Sequence, residues 1–229
     1  MLERPFTPLH KLGSLVVLIV ATFAVAECSN KAQGGSASPF SPQESGVVTD
    51  DFERSALGSN WAVYNGAVGI VNNSDMGVLS VSGDLLGLGI AAWGASTFSA
   101  DQFSEGVIST DVDAQAALQV FVRRRASDSQ RYGFHWNPFS PRWELKRDGG
   151  PGAPVLATAA GTPPAPGDAI RIEVRGTAIR GLRNGTLLLT ATDGELTQAG
   201  QPGMAMNIGR VTRFPSPFFE SWSGGSLDP

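Results

Sequence analysis

Ala169-Ile170-Arg171-Ile172-Glu173-Val174-Arg175 alternates apolar and charged side chains without a break. That period of two turns one face of a strand to a core and the other to solvent. Ile179 to Arg183 and Thr186 to Thr192 repeat the extended pattern on either side of Asn184-Gly185. An Asn-Gly pair between two such runs signals a hairpin, because both residues accept the positive φ of a type I′ turn. Asn184-Gly185-Thr186 also spells a glycosylation acceptor, and the turn reading takes precedence. Working back along the chain, Leu118 to Arg125, Arg131 to Trp136 and Trp143 to Lys146 read as strands, and Gly106 to Asp113 alternates in part. Asn137-Pro138-Phe139-Ser140-Pro141 is a turn, since two prolines cannot sit inside a ladder. A short strand around Val155-Leu156-Ala157 separates two Gly/Pro-rich turns, at 148–151 and 161–167. No segment of the folded part shows a helical period or an internal repeat. The expectation is an all-β fold of roughly a dozen strands in a two-sheet antiparallel β-sandwich. Asp50-Asp51-Phe52 near its start and Phe218 to Gly225 near its end should lie on neighbouring strands, because a sandwich of this kind closes by pairing its ends.

The chain has 229 residues, enough to bury a substantial core. Its 28 Gly and 15 Pro with only 17% charged residues fit many turns, and 41% apolar residues exclude a disordered chain. A net charge of −4 argues against nucleic acid as a partner. Cys28 is the only cysteine, so no intrachain disulfide framework exists.

Residues 1–26 read as a signal peptide: Arg4 and Lys11 flank an apolar run from Leu12 to Ala26, closed by Ala24-Val25-Ala26. The run is too short to span a bilayer comfortably. Two readings follow, plain secretion and lipid anchoring, for Cys28 stands where a bacterial lipoprotein carries its lipidated cysteine. Glu27 departs from that motif, which takes Gly, Ala or Ser there. Residues 27–46, rich in Ser, Gly and Pro, are expected to be a disordered tether, and 47–229 the folded domain. Export is common to both readings, at the cell envelope, in the periplasm or outside the cell.

Taken in order, these residues resemble the concanavalin A-like lectin/glucanase superfamily of jelly rolls, particularly the laminin-G-like modules of exported bacterial proteins. The resemblance is carried by Asp51-Phe52 with Leu57 to Trp61, Thr97 to Glu105, and Val122-Arg123 followed by Tyr132. Gly167-Asp168 with Arg171 to Val174, Asn184-Gly185, Ala191-Thr192-Asp193, Gly200 with Pro202-Gly203, and Trp222 to Gly225 complete it. It covers about residues 48–226. The superfamily includes lectins, carbohydrate-binding modules, hydrolases and lyases, so the resemblance leaves the activity open. It also implies a structural Ca²⁺ where the terminal strands meet, with Asp50 or Asp51 as the carboxylate ligand alongside backbone carbonyls; the competing reading is that Asp51 caps the first turn. No other cofactor is required.

Candidate chemistry is sparse. The Glu-x-Asp-x-x-Glu pattern of laminarinase-type hydrolases is absent, and Asp111-x-Asp113 supplies only two carboxylates. A lyase needs a cation and a Tyr or His base. Arg123, Tyr132 and His135 are of the right types, but Tyr132 and His135 differ by three and face opposite sides of a strand. Carbohydrate binding fits better, because sugars pair aromatic platforms with a few polar groups. Tyr132, Phe134 and Trp136 share one face, and Arg123 and Arg125 share a face of the preceding strand. The expected ligand residues are Arg123, Arg125, Tyr132 and Trp136, with an anionic polysaccharide as the partner suggested by the arginines. Against this stands a core role: if Phe134 turns inward, Tyr132 and Trp136 turn inward with it. The conclusion from sequence is an exported glycan-binding or surface-interaction module, more non-catalytic than enzymatic. A polysaccharide-degrading enzyme and a structural envelope protein are the alternatives.

Overall fold

The computed structural model describes residues 43–80, 88–112, 116–207 and 215–228, so the signal segment, Cys28 and Asp113 lie outside the described residues. Fifteen strands and no helix occur in what is described. They are β1 (Glu44–Asp50), β2 (Trp61–Asn65), β3 (Ala67–Val71), β4 (Asp75–Ser80), β5 (Leu88–Trp93), β6 (Gln102–Ile108) and β7 (Ala117–Arg124). Then follow β8 (Arg131–Asn137), β9 (Arg142–Asp148), β10 (Val155–Ala159), β11 (Ala169–Arg175), β12 (Ala178–Arg183), β13 (Thr186–Thr192), β14 (Gln201–Asn207) and β15 (Ser216–Leu227). One sheet runs β13-β12-β11-β6-β15-β4-β3, with β1 also paired to β15; the other runs β10-β9-β8-β7-β14-β5-β2.

The first and last strands pair as expected: Asp50 stands opposite Trp222 and Thr49 opposite Ser223. Pairing starts at Glu44, so the end of the stretch read as tether already belongs to the sheet. The Asn184-Gly185 turn has φ of 51° and 72°, the positive values the hairpin requires. Strands β2 to β5 and the true start of β6 were not legible as alternation. In β6 the inward positions Ser104 and Gly106 are small. Ser104 takes a hydrogen bond from Trp222 Nε1 at 2.9 Å, and a Cβ on Gly106 would lie 2.6 Å from the Phe219 ring.

The inward faces of β7, β8, β9 and β11 supply Leu118, Val120, Val122, Tyr132, Phe134, Trp136, Trp143, Leu145, Ile170, Ile172 and Val174 to one core. Phe134 stacks on Trp143 at 5.0 Å between centroids. It also fills space that Gly181, on the opposite sheet, leaves open: a Cβ there would come within 2.5 Å of the Phe134 ring. Trp61, Trp93 and Trp222 close the core beneath β1, with Trp61–Trp222 at 4.8 Å and Trp93–Trp222 stacked at 5.5 Å.

Candidate functional site

With the odd-register side chains of the seven-stranded sheet spent on the core, the alternate ones form its outer face. Cross-strand register sets Gln119 beside His135 and His135 beside Glu144, with Phe121, Gly133 and Lys146 in the next row. This outer face is buried to an unusual depth, for Gln119, Phe121, Arg131, His135 and Glu144 all have little exposure. Two glycines explain it. A Cβ on Gly133 would meet Gln119 Nε2 at 2.2 Å, and one on Gly203 would meet Phe121 at 2.8 Å, so both side chains lie flat over bare backbone. Phe121 joins Ile90, Ala92 and Ala205 in a small apolar cluster distinct from the main core.

Polar groups are then arranged over this apolar floor. Gln119 Nε2 donates to Asp148 at 2.6 Å and Arg131 Nε donates to Gln119 Oε1 at 3.2 Å. Lys146 pairs with Asp148 at 3.2 Å. Burial alone would push the Asp148 carboxyl up, but the charges of Arg131 and Lys146 and the Gln119 amide hold it below the usual range. Glu144 receives hydrogen bonds from Arg142 Nε at 2.6 Å and Asn137 Nδ2 at 3.1 Å, with His135 Nε2 3.3 Å away. The imidazole contact leads the effects that bring its pKa down to about 2 despite burial. The other imidazole nitrogen, Nδ1 of His135, is buried without a partner. A cavity of about 300 Å³ opens here, lined by Gln119, Arg131, His135, Asn137, Lys146 and Asn207, with Phe139 at its rim.

An amide pair, an imidazole, an ammonium and a guanidinium over an apolar floor suit a polyhydroxylated ligand. They do not suit two-carboxylate hydrolysis. Glu144 and Asp148, the carboxylates of this face, both lie below the usual range, so neither is held protonated as a general acid. Hydrolases of that kind need one of the pair protonated to donate to the leaving group.

The residues expected from sequence to bind ligand are placed otherwise, apart from Arg125. Tyr132 (0% exposed) and Trp136 (3%) share the core face with Phe134, so they form no surface platform. The Tyr132 hydroxyl donates to Asp193 at 2.5 Å, and burial together with that carboxylate pushes its pKa up to about 12. Arg123 (1% exposed) does not share a face with Arg125, because its φ of 52° breaks the alternation. Its guanidinium is spent on the carbonyls of Ala100 (2.6 Å), Gly176 (2.8 Å) and Leu196 (2.6 Å), tying three loops together. Arg125 remains partly exposed at the β7–β8 turn, paired with Asp128 at 2.5 Å. His135, by contrast, is on the outer face, opposite Tyr132, as the spacing of three requires. Gln119 and the contributions of β9 and β14 to that face depend on a cross-strand register that no local pattern displays.

Asp51 is exposed in the loop after β1 and accepts the Glu53 N–H at 3.1 Å, which is the turn-capping arrangement. Its neighbour Asp50 is the structural carboxylate. Burial favours its neutral form, but Arg54 at 2.5 and 2.7 Å, Trp61 Nε1 at 2.7 Å and the Phe52 N–H keep it below its ordinary range. Among the described residues no three His, Cys, Asp or Glu side chains converge as a metal site. A larger cavity of about 640 Å³ lies beside this loop, bordered by Arg54, Asn60, Glu105, Ser221 and Trp222.

No family model matches the sequence, and no curated protein does. Solved structures do match. The carbohydrate-binding module CBM66 from Bacillus subtilis superposes with a TM-score of 0.53 at 14% identity, covering 73% of this chain and 93% of that one. An endo-beta-1,3-glucanase from Pyrococcus furiosus gives 0.56 at 13% identity, covering 79% and 94%. The Ca²⁺-bound exoplasmic/lumenal domain of VIP36 gives 0.54 at 9% identity, covering 79% and 90%. Together with the two antiparallel sheets and the pairing of the terminal strands, these likenesses show that the chain has the fold of the concanavalin A-like jelly roll.

Proposed function

We propose that this chain is an exported, non-catalytic glycan-binding module whose ligand lies on the outer face of the seven-stranded sheet. The observation that carries the reading is the cavity over Gln119 and His135, where a buried imidazole nitrogen lacks a partner and amide, ammonium and guanidinium groups converge. The fold is shared with a carbohydrate-binding module and also with an endo-beta-1,3-glucanase, and neither carboxylate of this face is held protonated as a general acid. Arg124, Arg131, Arg142 and Lys146 stand on this face against Glu144 and Asp148, so the glycan is acidic. Affinity electrophoresis through gels containing alginate, pectin or neutral glucans tests the reading. Wild type is retained, Asn137→Ala and His135→Ala lose at least tenfold in affinity, and Arg125→Ala at the rim changes little. If wild type migrates freely through every glycan, the structural envelope reading takes its place.

A polysaccharide lyase is the second reading, favoured by the free Nδ1 of His135 on the same face as Arg131 and Lys146. Incubation with polyuronates and a rise in ultraviolet absorbance from an unsaturated product would establish it instead. Export rests on residues 1–26, and lipid anchoring rests on Cys28. A Cys28→Ser protein should leave the membrane fraction if the anchor is real, whereas an unmodified mature terminus at Glu27 identifies plain secretion.

A further inference from the structure

Arg124 is 3% exposed, yet its Nε and Nη1 have no hydrogen-bond partner, and the bond from its Nη2 to Ser129 Oγ is long, 3.3 Å. No carboxylate pairs with it among the described residues. A buried cation in that state is costly unless something completes its shell. What covers it is the ring of Tyr64, whose centroid is 3.2 Å from the guanidinium carbon. Tyr64 is 39% exposed on the edge strand β2, and its hydroxyl donates to Gln201 Oε1 at 2.6 Å. A second guanidinium stands alongside: Arg131 Nη1 reaches the carbonyl of the same Ser129, at 3.3 Å. The Arg124 charge adds to burial in pushing the Arg131 pKa down, with Asp148 as the counter-charge. Two arginines thus converge where one carboxylate serves only the second of them. Packing alone explains this poorly, since an uncharged side chain would fill the same space beneath Tyr64 without leaving N–H groups unmet.

We propose that Arg124, with Arg131 beside it, is the receptor for an acid group on the bound glycan, and that Tyr64 is the cover this group displaces. The proposal rests on the glycan-binding reading and deepens it: the ligand carries a carboxylate or a sulfate ester, and its charged end sits at the Tyr64 side of the face. Guanidinium groups favour such oxyanions because both partners are charged and planar donors match paired oxygens. Opening the cover requires only a rotamer change of one half-exposed ring, a fast motion.

The test uses polygalacturonate against its methyl ester, and dextran sulfate against dextran. Each pair keeps the backbone and removes or adds the acid group, and comparing the pairs separates carboxylate from sulfate. Wild type is retained by the acid-bearing member of at least one pair, more weakly as salt rises, and ten-fold or more less by its neutral counterpart. Arg124→Gln abolishes that difference, whereas Asn137→Ala weakens both members and keeps it. Tyr64→Ala serves as the second variant, since it lies on an edge strand: uncovering the guanidinium raises acid-glycan affinity several-fold. The proposal is overturned if Arg124→Gln, folded by circular dichroism, keeps full acid preference, or if Tyr64→Ala lowers it. Retention of wild type on neutral glycans alone overturns the acid-group receptor and leaves the binding face standing. Retention on nothing removes both.

Discussion

At the end of β7 the backbone φ of Arg123 turns to +52°, and that torsion separates three neighbouring arginines. Arg123 goes inward to hold three loop carbonyls, Arg124 goes outward beneath Tyr64, and Arg125 enters the turn with Asp128. Charge and spacing flagged the run, but alternation assigned its faces wrongly, because nothing about an arginine announces a positive φ. Arg123→Gln should lower unfolding free energy by about 3 kcal/mol in a denaturant titration, since three loop carbonyls, that of Leu196 buried, lose a charged donor together. A loss below half that value would mean the loops hold themselves. Glu105 offers a change of opposite sign. Burial raises its pKa, an effect that outweighs the nearby Arg171 charge. Its charged form is therefore penalised in the folded protein at neutral pH, and the penalty lifts as pH falls through the raised value. Glu105→Gln should be neutral to stabilising at pH 7, with any gain vanishing near pH 4; a clear destabilisation at pH 7 would show that the ion pair with Arg171 dominates.

Among the elements, legibility followed whether both faces of a strand differ. β11 and β13 were readable to the residue because one face is apolar and the other charged or Thr-rich. β7 and β8 were legible as strands, but which face turns outward was not, because both faces are buried, one in the main core and one under flattened side chains. β6 was shifted, since its inward Ser104 and Gly106 look like loop residues. The β12–β13 turn gives a quantitative check. Gly185 has φ of 72° with open space around it, so Gly185→Ala meets no clash and only the left-handed penalty, about 1 kcal/mol. Asn184 does more, accepting the Ala169 N–H at 2.9 Å and donating to Asp168 at 2.7 Å. Asn184→Ala should therefore cost more than Gly185→Ala, and thermal unfolding of the two variants side by side measures the order.

The molecule as a whole is closed by Trp222, which carries β15 past β1 and packs against Trp61 and Trp93 from the other sheet. This closure was legible from the aromatic and acidic residues at the two ends of the domain, whereas the face proposed to bind glycan was not, because it is assembled from β2, β7, β8, β9 and β14, far apart in sequence. Its stability should depend on pH through carboxylates. Asp50, Glu144, Asp148 and Asp168 all sit below their ordinary values: burial opposes this at the three aspartates and is outweighed by their hydrogen bonds and cations, while Glu144 is led down by His135. A group with a depressed folded pKa contributes stability that is complete above its unfolded value, near 4, and fades as pH falls through the folded one. The denaturation midpoint should therefore hold from pH 8 to about 5 and drop steeply below 4. Glu144 is the member whose share can be isolated, because its folded pKa lies at about 2. Glu144→Gln should be less stable than wild type at pH 7, and the gap should close between pH 4 and pH 2 as the wild-type carboxylate takes up its proton. A gap that stays constant across that window would show that Glu144 acts through shape and hydrogen bonds alone, with no stabilisation from its charge.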